Sequence, residues 1–279
     1  MQRFWANIIK PIFEAVKPKN IIEIGSDNGG HTKNILNYCK QHNACLHVID
    51  PLPKYSTQEL EESYKGNVIL HKDLSLNSIN KIDKFDMVLI DGDHNWYTVF
   101  NELKLIEKKS KEIKQNFPIV LFHDIGWPYA KRDLYYDPNT VPEKYRHEHK
   151  KAGLIPGEKE LNSDGIGINS HLHNAILEGG EKNGVLTAIE DFLKVAKEEL
   201  TLIKVPGFNG LGILYSTQHI KNKKFREITD LFNLPTLVKA HIEQMEKDRN
   251  NLILKLSTQK NNKHTSNNGL LKKIKGLIR

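Results

Sequence analysis

Five short apolar runs, each ending in an acid or a glycine, recur along the first half of this chain and constrain its fold more than any other feature. They are 21–25, 46–50, 68–73, 86–91 and 119–124, and amphipathic stretches such as 31–41 and 97–115 lie between them. A short apolar run suits a strand buried on both faces, and a helix-length connection is what a parallel neighbour requires. The pattern therefore predicts an α/β fold, a doubly wound and mostly parallel sheet with helices on both faces and ligands gathered at the carboxyl ends of its strands. After a predicted helix at 184–199, runs 202–205 and 211–215 flank Pro206-Gly207-Phe208-Asn209-Gly210, which reads as a hairpin, so the sheet is expected to end antiparallel.

The first run opens into Glu23-Ile24-Gly25-Ser26-Asp27-Asn28-Gly29-Gly30, a glycine-rich turn that brings backbone N–H groups close to a ligand. Its spacing, Glu-x-Gly-x-x-x-Gly, departs from the Gly-x-Gly-x-x-Gly that cradles a dinucleotide pyrophosphate. Glu23 at a strand end would instead pair with a cationic amine, such as the amino-acid end of S-adenosylmethionine. Asp50 closes the second run and would take ribose hydroxyls on its two carboxylate oxygens. A glycine turn alone is often only a connection, but two acids at the ends of successive strands make a cofactor site the stronger reading.

A net charge of +7, from 41 Lys and Arg against 34 Asp and Glu, is modest and gives no reason to expect a nucleic-acid partner. Most of it sits in the tail, where residues 241–279 carry nine Lys and Arg against three acids. Two cysteines, Cys39 and Cys45, cannot build a secreted disulfide framework, and 1–19 holds no long apolar stretch, so a cytoplasmic setting is the expectation. The chain divides into a cofactor-binding domain, 1–236, and a tail, 237–279. Within the domain, 125–182 is too long for an ordinary connection and reads as a substrate-covering insertion. In the tail, 237–256 looks helical with near-heptad apolar positions suited to the body or a second subunit. Residues 257–268 look irregular, and 269–279 has the pattern of a short basic amphipathic helix suited to an anionic membrane surface.

Two further strand ends are dense in ligand-type side chains: Asp91-Gly92-Asp93-His94 and His123-Asp124. Asp91, His123 and Asp124 would form one side of an octahedral site for Mg²⁺ or Mn²⁺, leaving positions for water and a chelating diol. His94, three residues after Asp91, would be the base that takes a hydroxyl proton. The bland alternative has Asp93 capping the next helix and His94 packing at its start. In the insertion, Trp127, Tyr129, Arg132 and Tyr136 follow the metal candidates directly and would line an acceptor pocket, with His171 and His173 further on.

Together Glu23 to Gly30, Asp50, Phe85 to His94 and Val120 to Asp124 resemble class I S-adenosylmethionine-dependent methyltransferases, over roughly 20–215. Within them the chain resembles the branch that includes the mycinamicin- and macrocin-type sugar O-methyltransferases. The resemblance implies that Glu23, Gly25, Ser26 and Gly29 line the methionine side, that Asp50 holds the ribose, and that Asp73 and Leu74 lie near the adenine. It implies metal ligands at Asp91, His123 and Asp124 and a base at His94, with a glycan or small-molecule acceptor. At position 123 those relatives have a carboxylate, so this chain's imidazole lowers the site's negative charge. The alternatives are a nicotinamide-dependent oxidoreductase on a similar sheet, which the glycine spacing and hairpin disfavour, and a non-enzymatic scaffold docking through its basic tail.

Overall fold

The computed structural model describes residues 1–164 and 166–277, with side chains through Leu256. Its elements are α1 (Lys10–Val16), β1 (Asn20–Ile24), α2 (Gly30–His42), β2 (Cys45–Ile49), α3 (Thr57–Ser63), β3 (Val68–His71), α4 (Ser75–Ser78), β4 (Met87–Ile90), α5 (Trp96–Glu112) and β5 (Ile119–His123). Beyond the insertion come α6 (Val185–Val195), β9 (Leu200–Val205), β10 (Leu211–Ser216), α7 (Lys223–Asp230) and α8 (Thr236–Leu277), while β6 (Leu134–Tyr135), β7 (His149–Lys151) and β8 (His173–Ala175) lie within it.

Seven strands form one sheet in the order β3-β2-β1-β4-β5-β10-β9. The first five are parallel, and β10 runs antiparallel to both β5 and β9. Alternate residues of the central strands feed two separate cores, because successive side chains in a strand point to opposite faces. Ile21, Met87, Leu89 and Leu121 pack on one face with α1 and α2 residues such as Phe13 and Ile35. Ile22, Ile24, Val88, Ile90, Val120 and Phe122 pack on the other with Val99, Leu103 and Ile189 of α5 and α6. Full burial of each such side chain stabilises the fold by about 1.5–3 kcal/mol, which is why these runs are apolar throughout rather than alternating.

The reversal between β1 and β4 puts their carboxyl ends on either side of the switch in strand order, the place where open α/β sheets hold ligands. Gly25, at φ +82°, makes that juncture possible: a Cβ there would lie 2.3 Å from the carbonyl oxygen of Asp91.

Three features differ from expectation. The α6 helix ends at Val195 rather than 199, since the backbone N–H groups of Lys197 and Phe117 bind Glu107 and Glu198 and the chain turns early into β9. The insertion carries its own small sheet, β6-β8-β7, over a satellite core that includes Tyr129, Leu134 and Leu154. The tail is one continuous helix, α8, where an irregular linker was expected at 257–268. Those residues are polar but contain no proline or glycine, so nothing in the backbone halts the helix. Side chains from 257 onward, and with them the membrane-facing pattern at 269–279, lie outside the described residues. Among the described residues no helix is long and apolar enough to cross a membrane.

Candidate active site

On the cofactor side, Glu23 is 1% exposed and, among the described residues, neither carboxylate oxygen has a hydrogen-bond partner. Burial pushes its pKa up to about 8, so it is neutral at pH 7. An orphaned buried carboxyl is costly, on the order of 1–3 kcal/mol, and its presence at the turn fits a site that waits for a cationic partner. Asp50 is more occupied than the sequence suggested. Its Oδ2 accepts from the Ser26 backbone and hydroxyl, both at 2.8 Å, and from the Asp27 N–H at 3.2 Å, while Oδ1 accepts from the Leu52 N–H at 2.9 Å. Asp50 thus holds the glycine turn in shape; only Oδ1 keeps an unused acceptor position for a ribose hydroxyl. Asp73 accepts from the Leu74 N–H and from Asn77, and pairs with Lys81 at 3.2 Å, so it anchors α4 at the outer edge of the site. Leu74 is exposed there. Gly29, in left-handed geometry at φ +74°, is the N-cap of α2.

Residues 1–5 cover this side of the cleft, a contribution the sequence reading missed because nothing in their composition marks them. The Gln2 side chain lies against Gly30, Trp5 meets His31 edge-on at 5.6 Å, and Phe4 meets His123 at 6.0 Å. The Met1 amino group donates to Asp91 Oδ2 at 2.6 Å. Burial keeps His31 neutral, its pKa lowered to about 3.

The second half of the site is a compact cluster. Asp91, His94, His123 and Asp124 each offer a ligand atom within 4.8 Å of the others. Asp124 Oδ2 meets His94 Nε2 at 2.7 Å and His123 Nδ1 at 2.8 Å; Asp91 Oδ1 meets His123 Nδ1 at 3.1 Å and His94 Nε2 at 3.7 Å. Asp124 has φ +57°, an uncommon conformation for a non-glycine residue and one that collects at functional sites. Burial works against charge on all four groups, yet mutual attraction prevails. Burial would lower His123, but Asp124 and Asp91 hold its pKa up at about 9. Burial likewise opposes His94, and Tyr136 and Asp124 beside it raise it well above its ordinary value. Burial would raise both carboxyls, and the imidazoliums instead hold Asp91 and Asp124 well below the usual carboxylate range. Asp91 and Asp124 thus pair with the two imidazoles, and Asp91 with the Met1 amino group as well.

Asp93 is not the helix cap. Asn95 caps α5 by accepting from the Thr98 N–H at 2.8 Å, a contact worth about 1 kcal/mol, while Asp93 accepts from the Thr98 hydroxyl at 3.2 Å.

The four acceptor candidates separate. Tyr136 is 56% exposed with its ring 6.0 Å from that of His94, and Trp127 borders a cavity of about 480 Å³ between the insertion, the β9–β10 turn and α8. Tyr129 is buried, hydrogen-bonded to Asn174 and Asn169, with its ring 5.6 Å from His94. Arg132 cannot contact an acceptor: it is 0% exposed, and its guanidinium donates to the carbonyls of Ala175, Ile176 and Lys159. It braces the insertion, as does its neighbour Asp133, whose Oδ1 accepts from the N–H groups of Trp96 at 2.7 Å and Gly184 at 2.6 Å. His173 packs against His149 at 5.1 Å within the small sheet.

A parallel sheet closed by an antiparallel hairpin, with a glycine turn after β1 and acids at the ends of β1, β2 and β4, is the architecture of a class I methyltransferase. Residues 22–125 match the family described as a methyltransferase domain. Among curated proteins none matches this chain. Similar solved structures include the S-adenosylhomocysteine-bound methyltransferase PaMTH1 of Podospora anserina, 18% identical over 75% of this chain and 76% of that one, with a TM-score of 0.45. An O-methyltransferase family protein of Burkholderia thailandensis is 12% identical over 77% of this chain and 57% of its own, with a TM-score of 0.39. The 1,6-didemethyltoxoflavin-N1-methyltransferase of the same organism, with S-adenosylhomocysteine and 1,6-didemethyltoxoflavin bound, is 10% identical over 74% and 75%, with a TM-score of 0.40.

Proposed function

We propose that this protein is an S-adenosylmethionine-dependent methyltransferase acting on a hydroxyl of a sugar or glycan precursor, with a divalent metal at Asp91, His123 and Asp124 and with His94 as base. The observation that carries the reading is the four-residue cluster at the ends of β4 and β5, beside the cofactor turn. Neighbouring ligands of an octahedral ion with bonds near 2.1 Å stand about 3 Å apart, and the contacts of His123 with Asp124 and Asp91, at 2.8 and 3.1 Å, are of that size. An imidazole among the donors, at His123, suits Mn²⁺ better than Mg²⁺.

The residues would divide the work as follows. Glu23 meets the ammonium of the cofactor's amino-acid end, and Asp50 Oδ1 takes a ribose hydroxyl. Tyr136 and Trp127 offer faces on which a sugar ring stacks. The acceptor oxygen attacks the methyl carbon in line as the carbon–sulfur bond breaks, its electron pair passing to sulfur, and the hydroxyl proton goes to His94. For that His94 must first be neutral, whereas the metal-free cluster keeps it protonated. A divalent cation bound at the carboxylates would supply Lewis acidity toward the hydroxyl and displace the imidazolium protons.

A second reading is favoured by one contact, the 2.7 Å pairing of His94 Nε2 with Asp124: a His–Asp base acting without metal through Nδ1 of His94, at a pH high enough for the imidazolium to have given up its proton. Transfer of a labelled methyl group from S-adenosylmethionine to a panel of nucleotide sugars, with and without EDTA, tests both. Loss of turnover in EDTA, restored by Mn²⁺, and at least a hundredfold loss in Asp124→Ala with cofactor affinity retained, are expected for the metal reading. Full turnover in EDTA leaves the dyad, and unaffected turnover in Asp124→Ala sinks both.

A further inference from the structure

We infer that Asn209, in the turn between β9 and β10, is a positioning residue for the Asp124 carboxylate and that α8 holds it in place through Arg249 and Glu246. The inference rests on the proposed use of Asp124 as a metal ligand.

Asn209 Nδ2 donates to Asp124 Oδ1 at 2.9 Å. Its other amide atom, Oδ1, accepts from Arg249 Nη2 at 2.8 Å. Since a guanidinium only donates, this second contact fixes which way round the amide stands: oxygen toward Arg249, NH₂ toward Asp124. Arg249 is in turn held by Glu246, with Nη2 on Oε1 at 2.6 Å and Nε on Oε2 at 2.8 Å, a two-point geometry that sets its plane as well as its position. Glu246 also accepts the backbone N–H groups of Phe208 and Asn209, each at 2.9 Å. Phe208 has a φ of +47°, a conformation that its side chain rarely adopts, and Asn209 one of +69°, which asparagine tolerates. Strain of this kind costs on the order of 1–3 kcal/mol per residue and persists only where surroundings over-determine it. Here the surroundings are Glu246 on one side and the active centre on the other: Asn209's carbonyl accepts from the Gly126 N–H at 2.5 Å, and Phe208's carbonyl meets His123 Nε2 at 3.1 Å. Gly126 has no room for a side chain at this approach, since a Cβ would lie 2.6 Å from the Asn209 carbonyl oxygen.

The consequence for Asp124 is a division of labour between its oxygens. Oδ2 faces both imidazoles, and Oδ1 is engaged by Asn209. A carboxylate held at one oxygen by a fixed amide cannot rotate its other oxygen out of the cluster. Groups that orient a metal ligand in this manner typically govern metal affinity by ten- to a hundredfold. Because the amide is set by Arg249 and Glu246, the geometry of the catalytic cleft depends on the docking of α8, an element that contributes no ligand itself.

The test is a titration of the full-length protein with Mn²⁺ alone, reading free Mn²⁺ by electron paramagnetic resonance, beside calorimetry with S-adenosylmethionine. Asn209→Ala is expected to weaken Mn²⁺ binding by about ten- to a hundredfold with cofactor affinity unchanged. Arg249→Met, which leaves the turn's sequence intact, is expected to weaken it in the same direction by a smaller factor. Wild-type Mn²⁺ affinity in both variants would overturn the inference, as would parallel loss of Mn²⁺ and cofactor binding, the mark of a generally loosened fold. Absence of Mn²⁺ binding in the wild-type protein would overturn the metal reading under Proposed function, and the positioning role with it.

Discussion

The two halves of the cleft treat their acids in opposite ways. At the end of β1, Glu23 is buried without a partner among the described residues and is pushed up to about 8; at the ends of β4 and β5, Asp124 is buried and Asp91 half-buried, and imidazoles hold both down. Burial is common to both, so the neighbours decide the charge. The half at Glu23 has no cation beside its acid among the described residues, whereas the half at Asp91 and Asp124 already holds two imidazoles beside its acids.

The largest blow to this arrangement should come from Gly25→Ala, which touches both halves at once. The new methyl group would overlap the Asp91 backbone at a residue with φ +82°, so we expect destabilisation of several kcal/mol and loss of cofactor binding, read by thermal melting and calorimetry; a wild-type melting temperature would show that β1 and β4 do not depend on this contact. Glu23→Gln should separate the halves. It removes the amine partner and is expected to weaken S-adenosylmethionine binding by at least tenfold while leaving Mn²⁺ binding alone. Its sign on stability is the reverse: the folded-state pKa of Glu23 lies above its unfolded value, so the wild-type protein loses stability as pH rises from about 4.5 through about 8. The variant should therefore melt higher than wild type at pH 8.5 and no higher at pH 4. The histidines of the other half give a separate window. His123, raised to about 9, contributes stability that is complete below its unfolded value near 6.5 and is lost as pH rises through 9. In metal-free protein, the difference in melting temperature between wild type and His123→Asn is expected to shrink over that range, and a constant difference would contradict the ion-pair account. The smallest effect should follow deletion of residues 269–279, which is expected to leave cofactor affinity within twofold; liposome pelleting with and without these residues tests their proposed membrane contact.

The parallel core was legible because its strands are apolar on both faces and stop at acids, a pattern with few other solutions. Asp91, His94, His123 and Asp124 could be grouped from sequence since two strand ends in such a sheet must face one cleft. Arg132 misled because a cation after a ligand-bearing strand looks like a substrate contact, and only the fold reveals three carbonyls waiting for it. Asn209 was invisible for the opposite reason: in a Pro-Gly-Phe-Asn-Gly turn, asparagine is explained by backbone geometry alone, and its partners Asp124 and Arg249 lie 85 and 40 positions away. Strands of two or three residues, such as β6 and β7, leave no periodicity to read.

Asp133 gives the insertion a mechanical character. A single carboxylate oxygen receives the first amide of α5 and the amide just before α6, so the insertion is fastened to the origins of two helices of the body. It cannot swing aside without fraying both. The insertion is in that sense masonry rather than a door.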